Sequence, residues 1–274
     1  MHSDPLISLS TWALHPLIGH VEPGRPGQPA AVMFPSSARY LSLEAAITLA
    51  KEQGFTTIEL CHFHIDNPSD ERLEALRRHL RASGVRLWAL LIDDGDITDE
   101  VDNAAHIRWI ASWIDKASRL EAESVRIIGG HAPPTDVSRQ RARAAFNIFA
   151  MEGFVRGVRI RTENWFPHLC NPDEVIECLG ALKGALGLTF DFGNWEGAEK
   201  FAMLEEIAEH AEGCHAKCNY KDSLPDLEDF KRCLTLLKNA HFSGPYTLVH
   251  APTTPVWDAL HMQRKFILQT ISGS

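Results

Sequence analysis

Short apolar segments alternate along the chain with longer segments of helical periodicity. Segments that are rich in β-branched or apolar residues, and that end in polar residues, predict strands. These strands are Leu6–Thr11, Thr56–Cys61, Val85–Ile92, Ser124–Gly129, Val158–Glu163, Leu188–Asp191, Cys214–Lys217 and Tyr246–His250. Segments between them with apolar residues three and four apart predict helices. The helices are Leu43–Gln53, Ser69–Ala82, Thr98–Leu120, Val137–Phe154, Pro172–Leu182, Glu199–His210, Leu227–Asn239 and Val256–Ile271.

This strict order of strand and helix predicts a single (β/α)8 TIM barrel, an α/β fold, over residues 1–274. An open sheet that binds a dinucleotide would carry G-x-G-x-x-G after its first strand, whereas here Trp12-Ala13-Leu14-His15 follows. No shift in composition marks a domain boundary. Residues 16–39 form the longest predicted loop, rich in proline and glycine, and we expect it to cover the mouth at the carboxyl ends of the strands.

Composition and charge narrow the class of partner. The chain has 27 basic and 36 acidic side chains, a net charge of −9, which disfavours a nucleic-acid partner. The first residues do not resemble a secretory signal, and the longest apolar run, Trp88–Ile92, is far shorter than the ~20 residues that span a bilayer. Six cysteines without a C-x-x-C pair predict free thiols. We therefore expect a cytoplasmic protein with neither a nucleic-acid nor a membrane partner.

Polar residues lie near the ends of the last four predicted strands. Alternation along these strands predicts that Glu163, Asp191, His215 and His250 point into the barrel near one mouth. A lone carboxylate at a strand end more commonly caps a helix or forms an ion pair, and a lone histidine more commonly sits hydrogen-bonded in the core. Repetition on four consecutive strands instead favours a site for one divalent ion, Mn²⁺, Zn²⁺, Co²⁺ or Mg²⁺.

Four further charged residues share the inward parity: Glu59, Arg126, Arg159 and Arg161. A buried arginine without a partner is costly, so we expect these arginines to pair with Glu59 or with the carboxylates of the site. The alternative is that one arginine, with Arg161 as the candidate, contacts an anionic substrate.

Several motifs resemble the xylose isomerase-like TIM barrel superfamily, which includes sugar phosphate isomerases and epimerases and apurinic endonuclease family 2. The motifs are Gly-Val-Arg-Ile-Arg-Thr-Glu-Asn at 157–164, Asp-Phe-Gly-Asn at 191–194 and His-Ala-Lys at 215–217. Residues 7–15 and 54–60 also resemble the first two strands of that family. The resemblance implies a divalent metal ion at the mouth of the barrel.

The resemblance assigns metal ligands to Glu163, Asp191 and His215. The family's fourth ligand is a glutamate on strand eight, where this chain has His250. Asn194 also stands where many members have a histidine that contacts substrate, and Arg161 lies where the family is usually apolar.

These residues favour a metal-dependent isomerase or epimerase that acts on a sugar or a small polyhydroxy keto compound through an enediolate. Glu163 and His250 would move the proton next to the carbonyl, and Lys217 would stabilise the oxyanion. One alternative is a metal-dependent lyase or dehydratase on a keto sugar or polyol derivative. Another is a ligand-binding barrel whose catalytic pair has decayed. Endonuclease activity is disfavoured, because several ligands of the trinuclear members are missing.

Aromatic and polar residues after the strands are candidates for binding a carbohydrate-like substrate, although each could equally be a packing residue. They are Trp12, His62, His64, His131, Arg161, Trp165, Asn194 and Trp195. The sequence also leaves open whether the protein forms a homo-oligomer.

Overall fold

The computed structural model describes residues 5–18, 21–22, 31–32, 40–249 and 255–273. Within this part of the chain, eight parallel strands follow one another around a closed barrel, and the last pairs with the first. The barrel strands are β1 (Ile7–Ser10), β2 (Thr57–Cys61), β3 (Arg86–Ile92), β4 (Ser124–Ile127), β5 (Arg159–Glu163), β6 (Gly187–Asp191), β7 (Ala211–His215) and β8 (Tyr246–Leu248). The predicted (β/α)8 TIM barrel is therefore confirmed.

A helix follows each barrel strand. The helices are α1 (Leu43–Glu52), α2 (Asp70–Ser83), α3 (Asn103–Arg119), α4 (Asp136–Arg156), α5 (Pro172–Ala181), α6 (Lys200–Ile207), α7 (Leu227–Asn239) and α8 (Val256–Ser272). The sequence sets their ends locally. The side chains of Ser42 and Ser69 accept backbone N–H groups at the starts of α1 and α2. Gly84 and Gly157 end α2 and α4 with φ of +62° and +69°, a conformation that glycine adopts without strain.

Two elements begin three or more residues away from their predicted starts. Helix α3 begins at Asn103 instead of Thr98, because the carboxylates of Asp96 and Asp99 accept backbone N–H groups of the intervening residues and hold them in turns. Strand β7 begins at Ala211, three residues before the predicted start at Cys214. Its first residues, Ala-Glu-Gly, have low strand propensity, and their pairing with β6 compensates.

The outward faces of the strands pack against the helices in one large apolar core. Ile160, Leu188 and Phe190 lie in this core, whereas Arg161 and Asp191 lie on the opposite, inward face. The alternation predicted for β5 and β6 is thus observed. Glu163 and Asp191 lie at the carboxyl ends of these strands, beside the mouth.

The alternation that would point His250 inward also predicts that Tyr246 and Leu248 point inward, and this parity is wrong. Tyr246 and Leu248 pack in the outer core, in register with Ile7 and Leu9 of β1, so the inward residue of β8 is Thr247. Buried parallel strands are apolar on both faces, and Tyr-Thr-Leu-Val does not show which face is inside. His250, the predicted fourth ligand, lies outside the described residues.

Within the predicted loop of residues 16–39, the structure describes the end of a short helix, His15–Ile18, and an antiparallel pair formed by Val21–Glu22 and Ala31–Val32. The position of this loop over the mouth of the barrel stays a prediction.

All six cysteines are free thiols, as predicted. A search of the described helices finds none with the length and apolar character that crossing a membrane requires.

Candidate functional site

Three polar side chains meet where β5, β6 and β7 end side by side. Glu163, Asp191 and His215 are almost fully buried, and one ligand atom of each lies within 4.8 Å of the others. His215 Nδ1 is 3.3 Å from Glu163 Oε1 and 3.7 Å from Asp191 Oδ2. Two carboxylates and an imidazole are donors that Mn²⁺, Zn²⁺ and Co²⁺ accept, so these residues fit a divalent ion. We refer to them as the donor cluster.

Asn164 joins the ends of β5 and β6. Its Nδ2 donates to the carbonyl oxygen of Asp191 at 3.1 Å, and its Oδ1 accepts the Asp191 backbone N–H at 2.8 Å. The Gly193 N–H in turn donates to Asp191 Oδ1 at 2.6 Å. These bonds fix the backbone and the carboxylate of Asp191 beside Glu163.

Both oxygens of Glu163 have neighbours. Asn194 Nδ2 donates to Oε1 at 2.7 Å, and Arg126 Nε lies 2.9 Å from Oε2 in an ion pair whose N–H is poorly aligned with the oxygen. Arg126 also binds Asp93 Oδ1 at 2.5 Å through Nη2. Burial alone would raise the pKa of Glu163, but the charges of His215 and Arg126 outweigh it and hold that pKa below its usual range. Glu163 is therefore a carboxylate.

His215 lies between carboxylates on both of its ring nitrogens. Its Nε2 is 2.8 Å from Glu59 Oε2, on the side opposite the donor cluster. Burial alone would lower the pKa of His215, but the charges of Glu163 and Glu59 outweigh it and raise that pKa well above its usual range. The same side chain can offer Nδ1 to a cation while Nε2 keeps its proton.

Arg161 fills the barrel interior beneath the donor cluster. Its guanidinium lies 4.7 Å from the ring of Trp88 and donates to the Ser124 hydroxyl. It also lies against Gly213, where a Cβ atom would overlap Nη1. Arg161 does not line the pocket described below, so the structure does not place it as the predicted contact to substrate. Arg159 lies nearer the opposite end of the barrel and pairs with Glu212, with Nε 2.9 Å from Oε2.

A pocket opens above the donor cluster. Its lining residues are Ser10, Trp12, Cys61, Leu91, Asp93, Arg126, Glu163, Trp165, Asp191, Asn194, His215, Lys217 and Val249. Trp12 is 46% exposed and Trp165 is partly buried, so both rings present apolar surface at the mouth. Lys217 makes no ion pair with any residue in the described part of the chain. The pocket thus combines carboxylates at its floor, aromatic side chains at its walls and the amine of Lys217.

Comparison with known proteins identifies the family of this barrel. A family model described as xylose isomerase-like TIM barrel matches residues 47–264. The chain belongs to this family. No protein of curated function matches the sequence significantly.

Solved structures share the fold of this xylose isomerase-like barrel at low sequence identity. An L-ribulose 3-epimerase is 16% identical, with a TM-score of 0.74 over 98% of this chain and 95% of that one. A xylose isomerase-like TIM barrel protein from Mycobacterium smegmatis in complex with magnesium is 16% identical, with a TM-score of 0.70 over 100% and 99% of the two chains. The probable 3-DHS dehydratase involved in petrobactin synthesis from Bacillus anthracis is 15% identical, with a TM-score of 0.65 over 95% and 97%.

Two predicted substrate contacts of this xylose isomerase-like barrel are packing residues here. His62 packs edge-on against Trp109 and Trp113, and its Nδ1 accepts the backbone N–H of Asp93 at 3.3 Å. Trp195 lies in the outer core, where its Nε1 donates to the carbonyl oxygen of Leu169 at 3.2 Å. Neither side chain lines the pocket.

Two other predicted contacts also lie outside the pocket lining. His64 is buried, with Nδ1 2.9 Å from Thr11 Oγ1. His131 is exposed and stacks on the ring of Phe166 at 4.6 Å. Of the predicted substrate contacts, the structure brings Trp12, Trp165 and Asn194 to the pocket, together with Lys217.

Sequence reasoning missed Asn164 and the position of Asp93. Asp93 follows β3 directly, so the rule that polar residues at strand ends face the mouth could have found it. Asn164 also follows its strand, β5, directly, but its two bonds to Asp191 depend on the register of β5 with β6, which the sequence does not show.

Proposed function

We propose that this protein is a divalent-metal-dependent isomerase or epimerase that acts on a sugar or a small polyhydroxy keto compound through an enediolate. The donor cluster at the floor of an open pocket carries the proposal, because two buried carboxylates converge there with an imidazole. Fold neighbours that are named as an L-ribulose 3-epimerase and a D-tagatose 3-epimerase-like protein support it.

Each group of the pocket has a role in this proposal. Glu163, Asp191 and His215 would hold the ion, which when bound polarises the substrate carbonyl as a Lewis acid. Lys217 would stabilise negative charge on the substrate oxygen. Trp12 and Trp165 would stack on the C–H faces of the sugar. Glu163 and His250 stay the proposed groups that move the proton next to the carbonyl.

A lyase or dehydratase is the second candidate, and the contacts of Glu163 favour it. Because Asn194 and Arg126 occupy its two oxygens, Glu163 is better placed as a ligand than as one of two opposed bases. β-Elimination needs only one base and one acid. A fold neighbour named as a probable 3-DHS dehydratase is compatible with this chemistry.

Product analysis in D₂O tests the proposal. The protein would be loaded with Mn²⁺ and incubated in D₂O with a panel of keto sugars and cyclic keto polyols. Mn²⁺ would then be removed, and the products would be analysed by NMR. Epimerisation exchanges one C–H for C–D at the carbon beside the carbonyl, whereas elimination creates an unsaturated product.

Glu163→Gln is the matched negative variant, and we expect it to lower turnover at least about 10²–10⁴-fold while the fold is kept. Full activity of Glu163→Gln would contradict the assignment of Glu163. Failure of the wild-type protein to bind any divalent ion would contradict the metal centre and favour a ligand-binding barrel. We also propose a small carbohydrate-like substrate, which the fold neighbours named as epimerases support. We propose a cytoplasmic location, which the six free thiols support.

A further inference from the structure

Glu59 is a buried carboxylate that belongs to none of the three donor positions. It lies on β2, is fully buried, and reaches across the barrel interior to β7. Its Oε2 is 2.8 Å from His215 Nε2, whereas Glu163 and Asp191 face His215 Nδ1. The two nitrogens of one imidazole are therefore approached from opposite sides, one by Glu59 and the other by the donor cluster.

The chemistry of imidazole gives this arrangement a meaning. Nδ1 can offer a lone pair to a cation only when the remaining proton is on Nε2, and a buried N–H needs an acceptor. In the described part of the chain, Glu59 Oε2 is the acceptor at hydrogen-bond distance from Nε2. Such outer partners orient metal-binding histidines and select their tautomer.

We propose that Glu59 is a positioning residue that fixes His215 as an Nδ1 ligand of the metal centre. The inference rests on the proposed metal-dependent function and names the residue that prepares one ligand of that site. Glu59 does not line the pocket, so it would touch neither substrate nor ion. It acts through His215, by holding the ring in one orientation and the proton on Nε2.

Other charged side chains share the interior beneath the donor cluster with Glu59. Arg161, on β5, lies in the same interior, and its charge acts on Glu59 together with that of Arg126. Gly213 leaves the space that the Arg161 guanidinium occupies.

A purely structural ion pair is the competing explanation, and metal affinity separates the two. If Glu59 only stabilises the barrel, its replacement lowers the free energy of unfolding and leaves the affinity for a divalent ion unchanged. If Glu59 positions His215, the same replacement weakens metal binding in protein that is still folded.

The experiment measures Mn²⁺ binding by calorimetry for the wild type, Glu59→Gln and Glu59→Leu. Glutamine keeps an acceptor oxygen of the same size without the charge, and leucine removes the acceptor. We expect the loss of affinity to fall within about 10–100-fold, larger for leucine than for glutamine. Glu212→Gln is the matched control, because it neutralises a glutamate on another barrel strand. Glu212 pairs with Arg159, away from the donor cluster. We expect this variant to keep wild-type affinity.

A spectroscopic measurement on the wild type needs no variant to fold. In the Zn²⁺-loaded protein, ¹⁵N NMR of the histidines should show His215 with its proton on Nε2 and Nδ1 coordinated. Coordination through Nε2 would overturn the inference, as would Glu59 variants that fold and bind Mn²⁺ within about two-fold of the wild type. If the wild type binds no divalent ion, the proposed function fails too. If it binds and the variants bind equally, only the role of Glu59 fails.

Discussion

At the scale of single residues, Arg126 supplies a positive charge beside Glu163. Its guanidinium bridges Asp93 and Glu163, and all three side chains lie close together beside the donor cluster. Because these side chains are buried, removal of the cation would take from Asp93 its ion-pair partner and from Glu163 one of its counter-charges. The stability of the mouth and the chemistry of Glu163 are therefore linked through one side chain.

We expect Arg126→Met to lower the free energy of unfolding by about 3–5 kcal/mol, because it leaves buried charges unpaired. Urea unfolding at neutral pH measures this. Arg159→Met is the matched control, since Arg159 is partly exposed and pairs with Glu212, and we expect a cost of about 1 kcal/mol or less. Equal losses in the two variants would contradict this account of Arg126.

His62 gives the stability a defined pH dependence. Burial lowers the pKa of His62 to about 4, even though Asp93 and Asp94 oppose the shift, so the folded protein holds the ring neutral. The unfolded chain takes up a proton near pH 6.5, and the contribution of His62 to stability is therefore lost as the pH falls from about 6.5 to about 4.

We expect this loss to amount to about 3 kcal/mol between pH 7 and pH 4. His62→Gln should lack it, so the difference in unfolding free energy between wild type and variant should shrink steadily as the pH falls. Urea unfolding of both proteins across this range is the measurement. A constant difference would show that the pKa of His62 is the same in the folded and the unfolded protein, and would contradict this account.

At the scale of elements, the ends of β5 and β6 are joined by a side chain beyond their last shared backbone pairing. Asn164 does this with its two bonds to Asp191. The arrangement holds Asp191 beside Glu163, although the register of the two strands pairs Glu163 with Thr189.

We expect Asn164→Leu to cost about 2–4 kcal/mol of unfolding free energy, because the backbone groups of Asp191 lose their partners in a buried site. Mn²⁺ affinity should fall as well, since one ligand is no longer fixed. Asn171→Leu serves as control: it removes the side-chain cap of α5 and a long bond to the Cys170 sulfur, so about 1 kcal/mol is expected with metal affinity unchanged. An Asn164 variant with wild-type stability and affinity would rule out this role.

The inward face of a strand could be predicted from the sequence where charged and apolar residues alternate, and could not be predicted elsewhere. Arg159-Ile160-Arg161-Thr162-Glu163 shows which face is inside, because charged and apolar residues alternate. In Tyr246–Leu248 both faces are buried, so only the register with β1 reveals that Tyr246 points outward. The contacts of Arg126 and Asn164 depend on neighbouring strands, and periodicity within one strand carries no information about them.

At the scale of the whole molecule, the donor cluster draws its residues from three consecutive strands. An ion that binds there therefore connects β5, β6 and β7, and stabilises the folded state over the unfolded one by mass action. The burial of three donors makes this link part of the barrel itself.

Addition of Mn²⁺ to about 100 times its Kd should raise the unfolding free energy by about 2.7 kcal/mol, and a chelator should reverse the effect. Thermal unfolding with and without the ion measures it. Asp191→Asn should unfold at nearly the same temperature in both conditions, because it weakens one ligand. An equal rise in that variant would locate the binding elsewhere.

The contact between Arg161 and Gly213 restricts how this barrel can change. Any side chain at position 213 would occupy the volume of the guanidinium, and a smaller residue at position 161 would leave a cavity where the guanidinium now lies. Neither position can be substituted freely alone. Divergent copies of this gene are therefore expected to exchange both positions together or neither.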